Sequence, residues 1–391
     1  MEKKTILLVH NYYQIGGGEH TVFENEKELL LQHGHRVETY TRSNDELKMA
    51  KWKMLLLPFT TTWSWKTWRD VRKIIREKHI DVVHCHNTFP LVSPSVYYAA
   101  GSMGVPVVQT IHNFRFLCPN GLFYRDGQIC ESCREGNSFC PALRHGCYRG
   151  SKVQTAVAVA MLRFHRRLGT YRKINYIFLT EFNRDKFRDL LDISGDNVFI
   201  KPNFVARTPV CPEGQTIQKK FIYAGRLDEN KGVPFLLKAW KDLPEDLQLH
   251  IYGDGTYRPD CEKAAQEQEN IHFYGFRPQQ EIFADLSDAA ALLFPSESYE
   301  GFPMILAEAS AMGRPVIAAD LGNHGDLVRC SGGGTLYEVG NTASFAAALE
   351  NVVARNGDYA QKAKDYYEEN LTPEKNYEKL CDIYEQAKKN G

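Results

Sequence analysis

One stretch of the chain gathers most of its potential chemistry: Pro295-Ser296-Glu297-Ser298-Tyr299-Glu300-Gly301-Phe302-Pro303-Met304-Ile305-Leu306-Ala307-Glu308-Ala309. It follows an apolar run suited to a strand, turns at a glycine and enters a helix. The first N–H groups of such a helix lack internal partners and suit an anion such as a diphosphate. Glu300 and Glu308 are separated by seven residues, so their carboxylates fall on one helix face, where each can accept hydrogen bonds from vicinal hydroxyls. Gly225-Arg226-Leu227-Asp228-Glu229-Asn230-Lys231-Gly232 follows another apolar run. It places two cations at a helix entrance, able to neutralise a diphosphate. In Gly16-Gly17-Gly18-Glu19 the glycines would let backbone N–H groups reach a phosphate or sugar with no Cβ in the way, although the GxGxxG spacing is lacking. His112 ends a further run, and His84, His86 and Asn87 end another.

These groups need a scaffold, and the pattern supplies one. Short apolar runs at Ile6 to His10, Arg36 to Thr41, Asp81 to His86, Val105 to His112, Asn175 to Thr180 and Asn197 to Lys201 alternate with helical stretches. In one of these stretches Val22, Phe23, Leu29 and Leu30 recur at seven-residue spacing. Pro202 to Gln218 is rich in proline and reads as a linker. The alternation then restarts with runs at Lys220 to Ala224, Leu247 to Tyr252, Asn270 to Tyr274, Ala289 to Phe294 and Pro315 to Ala319. The expected architecture is α/β, with two doubly wound parallel sheets and ligand held beyond their strand carboxyl ends. Residues 1–203 form the expected N-terminal domain, 204–373 the C-terminal one and 374–391 a terminal helix that crosses back.

The 391 residues carry no net charge, yet residues 1–205 hold 29 basic against 19 acidic side chains and residues 206–391 the reverse. The basic half suggests an anionic partner, a phosphate-bearing ligand or an acidic membrane surface. Between Lys48 and Lys73, cations interleave with Trp52, Trp63, Trp65 and Trp68, a composition that suits the interface of an anionic membrane. No 18-residue apolar run occurs, and the Ile6 to Val9 run near the start is too short for an export signal. The expected location is therefore the cytoplasm, with peripheral contact on the inner face of the membrane. Five of the ten cysteines lie between Cys118 and Cys147. Cys118, Cys130, Cys133 and Cys147 are the candidate ligands of a structural zinc, with Cys140 as a spare and packed thiols as the alternative.

With the Pro295 to Ala309 segment, the sequence resembles the GT-B retaining glycosyltransferases of family 4, or group 1, whose signature is a glutamate pair separated by seven residues. The resemblance covers nearly the whole chain. It implies two Rossmann-like domains facing each other across a cleft, the N-terminal one binding an acceptor and the C-terminal one a nucleotide sugar. It implies that Glu308 holds the ribose hydroxyls. Glu300 and the backbone of Gly301, Phe302, Pro303, Met304 and Ile305 would hold the transferred sugar and its phosphate. Arg226 and Lys231 match the diphosphate loop, Gly17 and Gly18 the glycine-rich loop, and Phe276 with Arg277 the loop that recognises the base. His112 matches the histidine beside the donor sugar, while Glu19, His86 and Asn87 fall on the acceptor side. The implied reaction is metal-independent, retaining transfer from a nucleotide sugar, UDP before GDP, to a glycan or lipid-diphosphate-linked acceptor of a surface polysaccharide. No nucleic-acid partner and no catalytic cofactor are expected. Two departures stand out. Phe204 replaces a glycine common at the hinge, and residues 114–150 are an insertion. An epimerase or hydrolase of the same fold, or a non-catalytic nucleotide-sugar-binding subunit, are the competing readings.

Overall fold

A computed structural model of the chain describes residues 2–14, 17–49, 52–192, 195–207 and 216–387. It divides into two compact units. Unit 1 comprises residues 1–122, 131–203 and 373–391, and unit 2 comprises residues 123–130 and 204–372. The middle of the expected linker, residues 208–215, lies outside the described residues, as do Ile15 and Gly16 at the start of the glycine loop.

Unit 1 is built on β1 (Thr5–Tyr12), β2 (Arg36–Ser43), β3 (Val82–Cys85) and β4 (Val107–Ile111). After a small hairpin, β5 (Tyr124–Arg125) and β6 (Gln128–Ile129), it continues with β7 (Asn175–Phe178) and β8 (Val198–Ile200). Its six strands pair in parallel in the order β2-β1-β3-β4-β7-β8. Central strands are covered on both faces, and for that reason β1 reads as the unbroken run Ile6-Leu7-Leu8-Val9, with no solvent exposure at any of the four. Helices α1 (Gly18–Gln32), α2 (Trp52–Thr62), α3 (Trp65–Lys78) and α4 (Lys152–Arg167) belong to this unit. On α1 the residues Val22, Phe23, Leu29 and Leu30 are buried as their spacing predicts, and Glu26 is buried with them.

Unit 2 repeats the plan with β9 (Gln218–Ala224), β10 (Gln248–Tyr252), β11 (Ile271–Gly275), β12 (Ala289–Phe294), β13 (Val316–Ala319) and β14 (Gly334–Tyr337). They are parallel in the order β11-β10-β9-β12-β13-β14. One side of the sheet packs Phe221, Trp240 and Phe345 into a core in which Phe235 stacks on Tyr337 at 5.3 Å. Helices α5 (Met304–Ala311) and α6 (Gly322–Ser331) follow β12 and β13. The last helix, α7 (Pro373–Gln386), returns to unit 1.

Strand order reverses between β1 and β3 in unit 1 and between β9 and β12 in unit 2. At such switch points the loops leaving the two neighbouring strands part to opposite faces and open a crevice beyond their carboxyl ends. Glu19, His86, Lys231 and Glu300 follow the switch-point strands, whereas His112 follows β4 and Phe276 with Arg277 follow the edge strand β11. The β5–β6 hairpin and β14 were not anticipated. Strands of two residues carry no periodicity, and β14 begins in the glycine run Gly332-Gly333-Gly334.

Candidate functional site

At the unit 2 switch point, the loop leaving β9 and the loop leaving β12 are held almost in contact. Gly232 has φ +73°, and a Cβ there would lie 1.8 Å from the carbonyl oxygen of Pro295. Only glycine meets both conditions, so this position fixes how closely Lys231 approaches the glutamate segment. The Asn230 carbonyl accepts the Glu297 N–H at 3.0 Å and the Ser296 hydroxyl at 3.1 Å. The Asn230 amide donates to Ser298 Oγ at 3.1 Å.

Across this seam Lys231 Nζ lies 2.5 Å from Glu300 Oε1, which also accepts from Ser296 Oγ at 2.7 Å. Burial alone would push the Glu300 carboxyl up. The Lys231 ammonium, with the bonds from Lys231 and Ser296, outweighs burial and holds it below the usual carboxylate range. Glu300 is therefore ionised at neutral pH and acts purely as an acceptor. Its turn is pinned by Asn323 at the start of α6, whose amide donates to the carbonyls of Glu300 and, at 3.0 Å, Gly301. The next residue, His324, is fully buried beside this turn, next to Glu300, Lys231 and the Ser296 backbone. Burial lowers it to about 4, so it is a neutral imidazole. Sequence reasoning missed Asn323 and His324, because nothing about the strand β13 that precedes them marks the loop as functional.

Phe302, Pro303, Met304 and Ile305 form the entrance to α5, with Pro303 as its N-cap and no side chain capping the first turn. Four residues into the helix, Glu308 accepts from Gln279 Nε2 at 2.6 Å. Burial raises its carboxyl to about 7, with the Gln279 bond working against that rise. Gln279 follows the loop that carries Phe276, a ring 79% exposed, and Arg277, which donates to the Tyr274 carbonyl at 3.1 Å. Arg226 points outward, paired with Asp228 at 2.5 Å. The structure thus brings Lys231 and Glu300 into contact and ties Glu308 through Gln279 to the segment that follows β11, and it leaves Arg226 on an exposed arm of the same loop as Lys231.

The hairpin meets the loops after both β9 and β12. Phe123 stands edge-on to Tyr299 with ring centroids 6.2 Å apart, and burial beside Glu229 and Glu297 lifts Tyr124 to about 12. Of the insertion's thiols, Cys118 and Cys133 are buried, Cys130 and Cys147 half-buried and Cys140 exposed. Two of the four expected ligands, Cys130 and Cys147, thus remain partly open to solvent.

In unit 1, Gly17 is the N-cap of α1 in extended backbone, and a Cβ there would meet nothing within 4 Å. Neither crowding nor a left-handed backbone therefore requires glycine at this position. Glu19 in the first turn accepts from Asn113 Nδ2 at 3.3 Å, and burial raises it to about 8. The Asn87 side chain is taken up by backbone, donating to the Asn11 carbonyl at 2.8 Å and accepting from Phe89 N–H at 3.0 Å. His86 is buried behind the half-buried His112, with His86 Nδ1 and His112 Nε2 3.0 Å apart. Both histidines line a small pocket together with Asn113, Arg115 and Phe116.

Residues 15–207 match the model of Glycosyltransferase Family 4, and residues 218–355 match that of Glycosyl transferases group 1. The lipopolysaccharide 1,6-galactosyltransferase of Escherichia coli (strain K12) is 34% identical over 154 residues, which is 37% of this chain and 42% of that protein. The chain therefore spans less than half the length of that relative. Among solved structures, a glycosyltransferase from Rickettsia africae ESF-5 superposes with a TM-score of 0.67 at 18% identity over the whole of both chains. Alr3699/HepE of Anabaena, crystallised with UDP, gives 0.65 at 16% identity, covering 97% of this chain and 99% of its own. At these identities the structural likeness establishes the GT-B fold.

Proposed function

Because the chain belongs to the family 4, group 1 glycosyltransferases, we propose that it moves a sugar from a nucleotide donor, UDP-linked, to a glycan or lipid-diphosphate acceptor in surface polysaccharide assembly. The observation that carries this reading is the Lys231 to Glu300 contact at the unit 2 switch point. It sets an ammonium where a diphosphate leaving group would sit and an ionised carboxylate where sugar hydroxyls would donate. As the sugar–phosphate bond breaks, negative charge grows on the diphosphate, and Lys231, Arg226 and the N–H groups that open α5 oppose it. Fixed protein cations then do what a divalent ion does in other nucleotide-sugar enzymes. Ionised Glu300 favours positive charge on the departing sugar. Retention of configuration follows if the acceptor enters on the face the diphosphate leaves, with a phosphate oxygen taking its proton.

Glu308 supplies the test of donor binding. Vicinal ribose hydroxyls donate to a carboxylate far better than to a carboxylic acid, so UDP binding should tighten as pH rises through about 7 and should release a proton. Calorimetry in buffers of different ionisation enthalpy checks this. Subtracting the result for Glu308→Gln removes the titration of the ligand's own phosphate. Equal proton release by wild type and variant, or no UDP binding at all, would contradict the proposal.

The acceptor side adds an anionic membrane surface. The outer face of α4 carries Val153, Ala156, Ala160 and Phe164 at helical spacing and exposed, with Leu168 just beyond; Val153 is 74% exposed. Neighbouring α2, which meets α4 where the Thr62 carbonyl bonds His165 at 2.9 Å, exposes Leu56 and Phe59, and Trp65 is exposed at the start of α3. Lys66, Arg69, Arg163 and Arg167 are exposed around these apolar groups, the pairing of rings and cations that anionic headgroups attract. Burying one phenylalanine contributes about 1.5–3 kcal/mol. Phe59→Ser/Phe164→Ser should therefore lower partition onto phosphatidylglycerol vesicles by about tenfold or more and leave UDP affinity intact. Cosedimentation that is equal for both proteins, or a wild-type dimer that the substitutions dissolve, would remove the membrane from the proposal.

A further inference from the structure

Behind His112 lies a buried polar network that the donor chemistry does not use. Its members come from separate elements of unit 1: His86 after β3, Glu26 in the middle of α1, Lys201 after β8 and Asn376 on α7. His86 Nδ1 is 3.0 Å from His112 Nε2, and His86 Nε2 is 3.3 Å from Glu26 Oε2. Lys201 Nζ is 2.5 Å from Glu26 Oε1 and 3.2 Å from Asn376 Oδ1. The side chains of Glu26, His84, His86 and Lys201 have no solvent exposure. Glu26, His84 and His86 bring potential ligand atoms within 4.8 Å of one another, but the positive charge such a set attracts is already supplied by Lys201. Both nitrogens of His84 are also engaged, with Tyr384 and Thr110 at 2.8 Å each.

Charge counting sets the protons. Burial pushes Glu26 up, and Lys201 with the two histidines overrides it, so the carboxyl lies well below its ordinary range. Burial, and then His86, holds His112 far below the ordinary imidazole value; Glu26, His10 and Lys201 are the other charged or titratable groups around it. One carboxylate and one ammonium cancel, and any further proton would leave an uncompensated charge in the interior. An ionised Glu26 can only accept, and a ring lone pair facing it at 3.3 Å would be repelled, so His86 turns an N–H at Nε2 toward Glu26 and offers its Nδ1 to His112. The 3.0 Å contact then requires His112 Nε2 to donate.

We infer that Glu26, acting through His86, fixes His112 as the Nε2–H tautomer and so leaves its Nδ1 as an acceptor for a substrate hydroxyl. His112 thereby orients a hydroxyl and cannot supply a proton. Glu26 and His86 are positioning residues. The tautomer follows from the network alone, whereas its role in transfer rests on the proposed function.

Nitrogen-15 NMR of histidine-labelled protein, with His112 assigned through His112→Gln, tests this without substrate. The expected wild-type spectrum shows His112 Nε2 protonated and Nδ1 bare. His86→Phe should mix the two tautomers, and His86→Gln, whose amide oxygen can accept from Nε2–H, should restore the single one. Glu26→Gln strands the Lys201 ammonium in the interior, so Glu26→Gln/Lys201→Met, which removes both charges, serves as the second probe and should also mix the tautomers. A protonated Nδ1 in the wild type, or an unaltered tautomer in both His86→Phe and the double variant, would overturn the inference. In transfer assays His86→Phe should lose about tenfold or more in kcat with donor KM nearly unchanged, and His86→Gln should recover most of it. Loss of kcat in His86→Phe that His86→Gln does not recover would also overturn it. A wild-type protein with no transferase activity strikes at the proposed function alone, because the spectrum decides the tautomer.

Discussion

Glu300→Gln should lower kcat for sugar transfer on the order of 10²- to 10³-fold, the scale of removing one preorganised electrostatic partner of a developing charge. The carboxylate is half-buried and ionised, with Lys231 and Ser296 both directed at one oxygen. An amide keeps the shape and loses the negative charge that faces the departing sugar. Its NH₂ group is moreover a donor with no use for a neighbouring ammonium. The fold should survive, since Lys231 retains 21% side-chain exposure and can take water as a partner. Steady-state kinetics beside a thermal melt decide the matter. Unchanged kcat in a folded variant would exclude Glu300 from the reaction.

Lys231→Met should show two separable effects. UDP affinity should fall about 10- to 100-fold, the value of about 1.5–3 kcal/mol for a charge-assisted contact. Stability should change with pH in a definite direction. In the wild type Glu300 is held below its unfolded value, so its stabilising contribution is present above that value and is lost as pH falls through the folded one. Without Lys231, burial is left as the dominant influence and the folded value rises above the unfolded one. The variant should then be penalised most at neutral and alkaline pH and should approach the wild type as acid protonates Glu300. Melting curves from about pH 4 to about pH 8 measure that difference, and a gap independent of pH would show that the pair is not what sets the charge of Glu300.

Much of the architecture was legible because buried parallel strands must be apolar on both faces. Ile6 to Val9 and Ala289 to Phe294 stand out from their surroundings for that reason, and the loops after them carried the recognisable motifs. Lys231 and Glu300 could be named for the same reason. Each lies within a contiguous signature, although their 2.5 Å contact depends on Gly232 and Pro295 meeting in space. Glu26 was not legible. On α1 it falls on the same face as Val22, Phe23 and Leu29, where a lone acid gives no sign of burial, and its partner Lys201 is 175 residues away in the sequence. Asn323 and His324 stayed hidden because their work is to hold a backbone turn and fill space beside it. His86 and Asn87 were recognised as polar groups at a strand end, but one is spent on His112 and the other on backbone.

The path of the chain has a practical corollary. Unit 2 contains residues 123–130, enclosed on both sides by unit 1 sequence, and unit 1 reclaims residues 373–391 after unit 2 is complete. Neither half is therefore a contiguous segment. Excising residues 1–203 would strip away Asn376, whose amide bonds both Lys201 and the Pro202 carbonyl, while residues 204–372 alone would lose the hairpin that backs Tyr299 and Glu229. Dissecting this molecule into working halves calls for circular permutation or coexpression of fragments, and a simple cut at the linker would sever both from parts of themselves.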